Sequence, residues 1–162
     1  MQATDQQTEQ SPTTKGRPSH FREALVVGDR VESAGMTITD AHLVNWAGLT
    51  GDIVSLHLDE TYAATTPFGR RIGHGPLTLS LSLGLITQTG YFTNVVAWLG
   101  LDAVKAKKPV FIGDTIHVVA TVTTSRPRSK PGVGIWSFDY VTLNQDGDEV
   151  MTFSTSFMVQ EA

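Results

Sequence analysis

Asp52 and His57 stand in the stretch GLTGDIVSLHLDETYA, residues 48–63, a carboxylate and an imidazole with four residues between them. That spacing suits acid–base chemistry on a water molecule held by both groups, each within roughly 2.6–3.2 Å of it. Each residue also has a plainer reading. Asp52 follows Gly51 and could end one helix and cap the next turn; His57, between Leu56 and Leu58, could be a hydrogen-bonded structural histidine. A metal site built from His42, His57 and His74 lacks the spacing, with no His-x3-His pair and no clustered carboxylates. His117 falls in an alternating apolar run, which gives it a structural role. The chain has no cysteine, so disulfides and thiolate nucleophiles are excluded.

The elements that must hold the pair are marked on both sides of it. Thr39 or Asp40 can cap a helix running to about Thr50, with Gly51 at the glycine-favoured C-terminal position. Leu43, Trp46 and Ala47 recur there at helical spacing and give it an inward face. Asp59 can cap a further turn or two over residues 59–66. The stretch GPLTLSLSLGLITQTG, residues 75–90, alternates Leu with Thr or Ser as a strand would. Its length and its Gly-Pro opening favour a long helix with Pro76 at the first position. Leu77, Leu81 and Leu85 step by four, and Leu79, Leu83 and Ile86 widen the apolar surface, so burial nearly all round is expected. Upstream, residues 24–38 predict a strand or hairpin about Gly28-Asp29. Downstream, residues 95–105 lead into KKPVFIGDTIHVVATVTTSRPR, where Pro109 and Gly113-Asp114 punctuate two extended pieces. Residues 132–144 and 150–159 then alternate as strands about a turn at 145–149. One early strand, then helices, then four long strands define an α+β domain whose sheet wraps the long apolar helix.

The length of 162 residues fits one domain with a tail. Residues 1–19 are Gln, Thr, Ser and Pro with almost nothing apolar, and read as a disordered extension. No repeat and no second shift in composition divides residues 20–162, which are expected to form one domain. Hydrophobic residues at 40% against 17% charged allow a full core. A net charge of −4 argues against a nucleic-acid binder that relies on a basic field. No run approaches the 18 or so apolar residues of a membrane span. No basic region followed by an apolar run opens the chain, so no secretory signal is visible and a cytoplasmic location is the default expectation.

The run GDIVSLHLDETYAATTPFGRRIGHGPL resembles the signature of the MaoC-like (R)-specific enoyl-CoA hydratases and dehydratases, which have the hot-dog fold. That signature reads G-D-x-N-P-x-H, then a Tyr-Ala element, a Phe-Gly turn, and I-x-H-G before the central helix. Gly51, Asp52, His57, Tyr62-Ala63, Phe68-Gly69, Ile72, His74 and Gly75 fall in place. KPVFIGDTIHV and VTLNQDGDEV resemble the family's third and fourth strands, so the likeness spans nearly the whole domain. Two positions depart. Val54-Ser55 replaces the family's Asn-Pro, which puts in doubt any part that Asn plays in holding the water or the loop, and with it rate or substrate preference. Pro76-Leu77 replaces Met-Leu, which a first helical turn tolerates.

What the resemblance implies is syn addition of water across the double bond of a trans-2-enoyl-CoA, or the reverse dehydration. Asp52 would orient and activate the water and His57 would share the proton transfer; coupled groups leave the two roles exchangeable. The backbone N–H of Gly75, at a helix N-terminus, would meet the negative charge developing on the thioester oxygen. His74 joins the substrate-binding set by its place in the signature, although shaping the turn explains it at least as well. Arg70, Arg71, Lys105, Lys107 and Lys108 are the cations on offer for the phosphates of coenzyme A. Arg71 is the first choice, though Lys and Arg are mostly exposed in any case. Leu79, Ser82, Leu83 and Trp46 are candidates for the acyl pocket, and core packing explains them equally well. No metal or redox cofactor is implied. The resemblance implies a homodimer or higher assembly with each site drawing on both subunits, or the dyad-bearing half of a heterodimeric dehydratase. A hot-dog thioesterase and a non-catalytic acyl-CoA-binding domain are the alternatives. The acidic net charge favours coenzyme A over an acidic carrier protein.

Overall fold

The computed structural model describes residues 20–162; the extension expected over residues 1–19 lies outside them. Two short strands, β1 (Arg30–Glu32) and β2 (Met36–Thr37), lead into helices α1 (Asp40–Thr50), α2 (Ser55–Leu58), α3 (Glu60–Ala64) and α4 (Gly75–Thr87). Four long strands follow: β3 (Val95–Ala106), β4 (Thr115–Pro127), β5 (Val133–Leu143) and β6 (Glu149–Gln160). They form an antiparallel sheet in the order β1-β4-β5-β6-β3, with β2 also paired to β4. This is the expected α+β architecture.

Alternation fixes which face of the sheet is inside. Register places Val122 opposite Phe138, Ala120 opposite Tyr140 and Val118 opposite Thr142 between β4 and β5. Across β5 and β6 it places Trp136 opposite Phe157, Tyr140 opposite Phe153 and Thr142 opposite Met151. All of these side chains are buried. Helix α4 lies on this face and contributes Leu77, Leu85 and Ile86 to the core. Its buried stripe, Thr78, Ser82, Leu85 and Ile86, follows helical spacing on one side. Ser80 and Thr87 are exposed, and Leu79, Leu81 and Leu83 only half-buried, because the sheet covers one side of the helix and not its whole circumference. The expectation of burial all round is corrected accordingly.

Local signals account for the ends of the helices. His42 Nδ1 accepts from the Thr39 N–H at 3.0 Å, which satisfies a donor at the start of α1, and Gly51 closes that helix at φ 77°. The Asp59 carboxylate accepts from the Tyr62 N–H at 3.0 Å and caps α3. Helix α4 has Pro76 in its first turn and stops three residues short of Gly90, after which residues 91–94 form a 3-10 turn.

Of the strand or hairpin expected over residues 24–38 the strand alternative holds: β1 and β2 each pair with β4 and not with each other. Residues 55–58 form a helical turn, so His57 sits on α2. The first of the two extended pieces expected from the sequence, residues 107–114, is a loop. It is tied to the rest by a bridge between Ile72 and Phe111 and by the Gly73 N–H on the Val110 carbonyl at 2.7 Å.

Candidate active site

The loop from Gly51 to Gly75 folds back over the start of α4, and short contacts fix it there. His57 Nδ1 is 2.8 Å from the carbonyl oxygen of Ile72. A carbonyl only accepts, so Nδ1 carries the hydrogen and the neutral ring has its lone pair on Nε2. The imidazole of His74 stacks on that of His57, ring centroids 3.9 Å apart and 29° between planes. His74 Nε2 is 3.1 Å from the carbonyl oxygen of Asp52. One imidazole is therefore wedged between the backbone of Asp52 and the ring of His57. The Asp52 side chain is part-buried and its carboxylate makes no hydrogen bond among the described residues. Burial above all, with His57 beside it, holds the His74 pKa below its ordinary value; the Asp52 carbonyl and carboxylate pull the other way.

A cavity of about 290 Å³ opens beside these groups. His57, Gly75 and Thr78 line it; Phe68, Ile72, Val110, Val150 and Met151 supply apolar wall, and Lys107 and Lys108 complete the lining with two cations. A side-chain carbon at Gly75 would meet no atom within 4 Å, so the space over the first turn of α4 is open. The backbone dipoles of this 13-residue helix favour negative charge there. Lys107 pairs with Glu149, and Lys108 with Asp148 at 2.6 Å, both on exposed surface. Among the described residues no cluster of three or more His, Asp or Glu could hold a metal ion.

Of the residues singled out in the sequence, the structure brings His57, Gly75, Lys107 and Lys108 to the cavity. Asp52 does not line it, and its backbone carbonyl meets His74, which stacks on His57. Others stand elsewhere. Arg71 is committed to Glu60 and Asp40, both at 2.8 Å, where it clamps α3 to the start of α1; those partners raise its pKa. Arg70 lies over the ring of Phe111 at 4.0 Å. Ser82 is fully buried, its hydroxyl bonded to the Thr78 carbonyl at 2.7 Å and the Thr142 hydroxyl at 2.8 Å, so it fastens α4 to β5 and is not part of this cavity's lining. Leu79, Leu83 and Trp46 pack against the core. His74 is wholly buried and outside the cavity wall. His117 faces Glu32 at 3.7 Å across β1 and β4. Two wall groups went unread. Thr78 was legible in principle, being one turn after Gly75 on the same helix face. Val150 and Met151 were not, because only strand pairing brings the start of β6 to this place.

A sheet of this order laid over one long helix, with a cavity at that helix's N-terminus, defines a class as well as a shape. A Mycobacterium tuberculosis protein described as having a double hot-dog fold superposes with a TM-score of 0.77 at 18% identity, over 89% of this chain and 45% of that one. The chain is a hot-dog domain. A solved MaoC-like dehydratase from Rhodospirillum rubrum superposes with a TM-score of 0.77 at 29% identity, covering 88% of this chain and 97% of that one. The family described as MaoC like domain matches residues 23–138, and the chain belongs to that family. The (R)-specific enoyl-CoA hydratase of Rhodospirillum rubrum is 34% identical over 116 residues, 68% of this chain and 75% of that protein. Protein MaoC of Klebsiella aerogenes is 36% identical over 101 residues, 62% of this chain; the match spans 30% of that protein's length.

Proposed function

We propose that the chain adds water to a trans-2-enoyl-CoA to give the (3R)-3-hydroxyacyl-CoA, or runs the reverse dehydration. The observation that carries this reading is the tautomer of His57. Its Nδ1–H is spent on the Ile72 carbonyl, so a bare Nε2 is left on a ring that lines the cavity at the open first turn of α4.

A water between His57 and the Asp52 carboxylate gives up a proton to one of them, and its oxygen bonds to C3 of the substrate. The electron pair of the C2–C3 double bond moves to C2 and onto the thioester oxygen, and the group that took the water's proton returns it to C2 on the same face, which leaves both members of the pair as they began. The Gly75 N–H, reinforced by the helix dipole, takes the charge of the enolate oxygen; one such donor is worth about 2.7–4 kcal/mol in other enzymes. Lys107 and Lys108 are placed to meet the phosphates of coenzyme A. Their partners Glu149 and Asp148 are exposed, so exchanging them for phosphate costs little.

A second copy of the chain belongs to this reading. β3 is an edge strand with Val96, Trp98, Leu99 and Val104 exposed, and Leu49, Ile53 and Val54 are exposed beside the site. An apolar edge of this kind invites pairing, and we infer a homodimer that covers both. No helix of the described chain is long and apolar enough to cross a membrane.

Incubation with crotonyl-CoA tests the chemistry when loss of the conjugated double bond and release of free thiol are followed together. Double-bond loss without thiol, with the (R)-3-hydroxy product, is expected. Thiol release would make the protein a thioesterase, and binding with neither signal would make it a carrier of acyl thioesters.

A further inference from the structure

His74 neither lines the cavity nor takes part in the proton transfers, yet it is the residue on which the site's parts converge. Its ring face lies on His57 and its Nε2–H reaches the main-chain oxygen of Asp52. Its own carbonyl accepts the Thr78 N–H at 3.0 Å and so starts the helix that presents Gly75. With the hydrogen on Nε2, Nδ1 is bare, and it is buried with no hydrogen-bond partner. A residue that merely filled this hole would not need a ring nitrogen, since burying one without a partner costs free energy. A substrate contact would stand in the cavity wall.

We propose that His74 is a positioning residue for the hydration chemistry. Its ring sets the plane of His57 while its Nε2–H holds the backbone that carries the Asp52 carboxylate. The proposal rests on the hydratase reading above. The titratable groups that bear on the ring are His57 on α2 and Asp52 before it; the cavity's two lysines are each paired with an acid. The one ring hydrogen of His74 is spent on the Asp52 carbonyl and its ring is outside the cavity wall, so His57 is the ring of the stack that faces the substrate.

Two variants separate the contacts. His74→Phe keeps a ring against His57 and loses the donor to Asp52; His74→Gln keeps a donor and loses the ring. Each is expected to lower kcat by about tenfold or more and to leave KM within about threefold, because positioning acts on the reacting geometry and not on binding. Ring-nitrogen NMR gives a readout independent of turnover. His57 keeps a single Nδ1–H tautomer in the wild type and in His74→Phe, and becomes a mixture in His74→Gln. Should His74→Gln fail to melt cooperatively, His74→Asn replaces it. A kcat within about twofold of wild type in both variants overturns the proposal, and so does a raised KM with kcat unchanged. A fixed His57 tautomer in the ring-less variant overturns it as well. A wild type inert toward every enoyl-CoA would overturn the hydratase reading alone, and the His57 tautomer would still decide the role of His74.

Discussion

Residues 51–75 and the paired strands β5 and β6 are built on opposite terms. Between Gly51 and Gly75 only Ala63 and His74 are buried, and the segment keeps its shape through single polar contacts: His57 on Ile72, His74 on Asp52, Arg71 on Asp40 and Glu60. In β5 and β6, buried aromatic rings meet edge to face, Phe138 with Trp136 at 6.0 Å and with Tyr140 at 6.0 Å, while Tyr140 stacks on Phe153 at 4.5 Å. Burial pushes the Tyr140 phenol upward in pKa, so it stays protonated there. The sheet is stabilised by area removed from water; the loop is ordered by hydrogen bonds that leave the Asp52 carboxylate and His57 Nε2 unspent. On the proposed function, stability and chemistry reside in separate parts of the chain, and substitutions ought to separate them too.

The largest effect is expected in the loop. On the proposed mechanism Asp52→Asn removes one proton-transfer group, and the loss of such a group typically costs about 10²–10⁴-fold in rate. Its carboxylate has no hydrogen bond to lose, so the melting temperature stays close to wild type. Turnover of crotonyl-CoA and a thermal melt on the same sample check both halves. Turnover equal to wild type would remove Asp52 from the mechanism. Phe138→Ala is the converse. Truncating a wholly buried phenylalanine costs about 3–5 kcal/mol in comparable cores, read from denaturant unfolding, while kcat per folded molecule holds. A Phe138 variant that unfolds like wild type but loses turnover would break the division between the two regions.

The same contrast explains what the sequence made legible. Alternation in β5 and β6, the Thr39 and Asp59 caps, Gly51 and the Gly-Pro start of α4 are short-range signals, each read within a turn or a strand. The place of His57 and Gly75 beside one another at the cavity was legible through an ordered motif. The partners of Arg71 were not. Asp40 and Glu60 lie 31 and 11 residues away in sequence and meet it only once α1 and α3 are docked. A lone arginine in a motif thus read as a ligand for phosphate, when two carboxylates had already engaged it. Ser82 shows the limit from the other side. Its helical position says that it faces inward, and only the register of β5 reveals that Thr142, not substrate, receives it.

Ser82→Ala sharpens that point with a smaller effect. Thr142 is left with an unpartnered buried hydroxyl, at a cost of about 1–3 kcal/mol, and KM for the acyl thioester stays at its wild-type value. A changed KM with unchanged stability would return Ser82 to the substrate pocket.

The smallest expected effect is on the pH dependence of folding. In the folded chain His74 titrates below its ordinary value, whereas in the unfolded chain it takes up a proton near pH 6.5. Between those two values the unfolded state binds more protons, so stability falls as the pH drops below about 6.5. His74→Gln has no proton to bind and loses that part of the slope. Denaturant midpoints for the wild type and the variant, taken at about pH 7.5 and pH 5.5, isolate it from the carboxylates, which titrate in both proteins. Equal slopes would mean that the buried imidazole is protonated in the fold after all. That outcome would break the contrast at its one exception, because His74 is the polar group of the loop that is buried as deeply as the rings of the sheet.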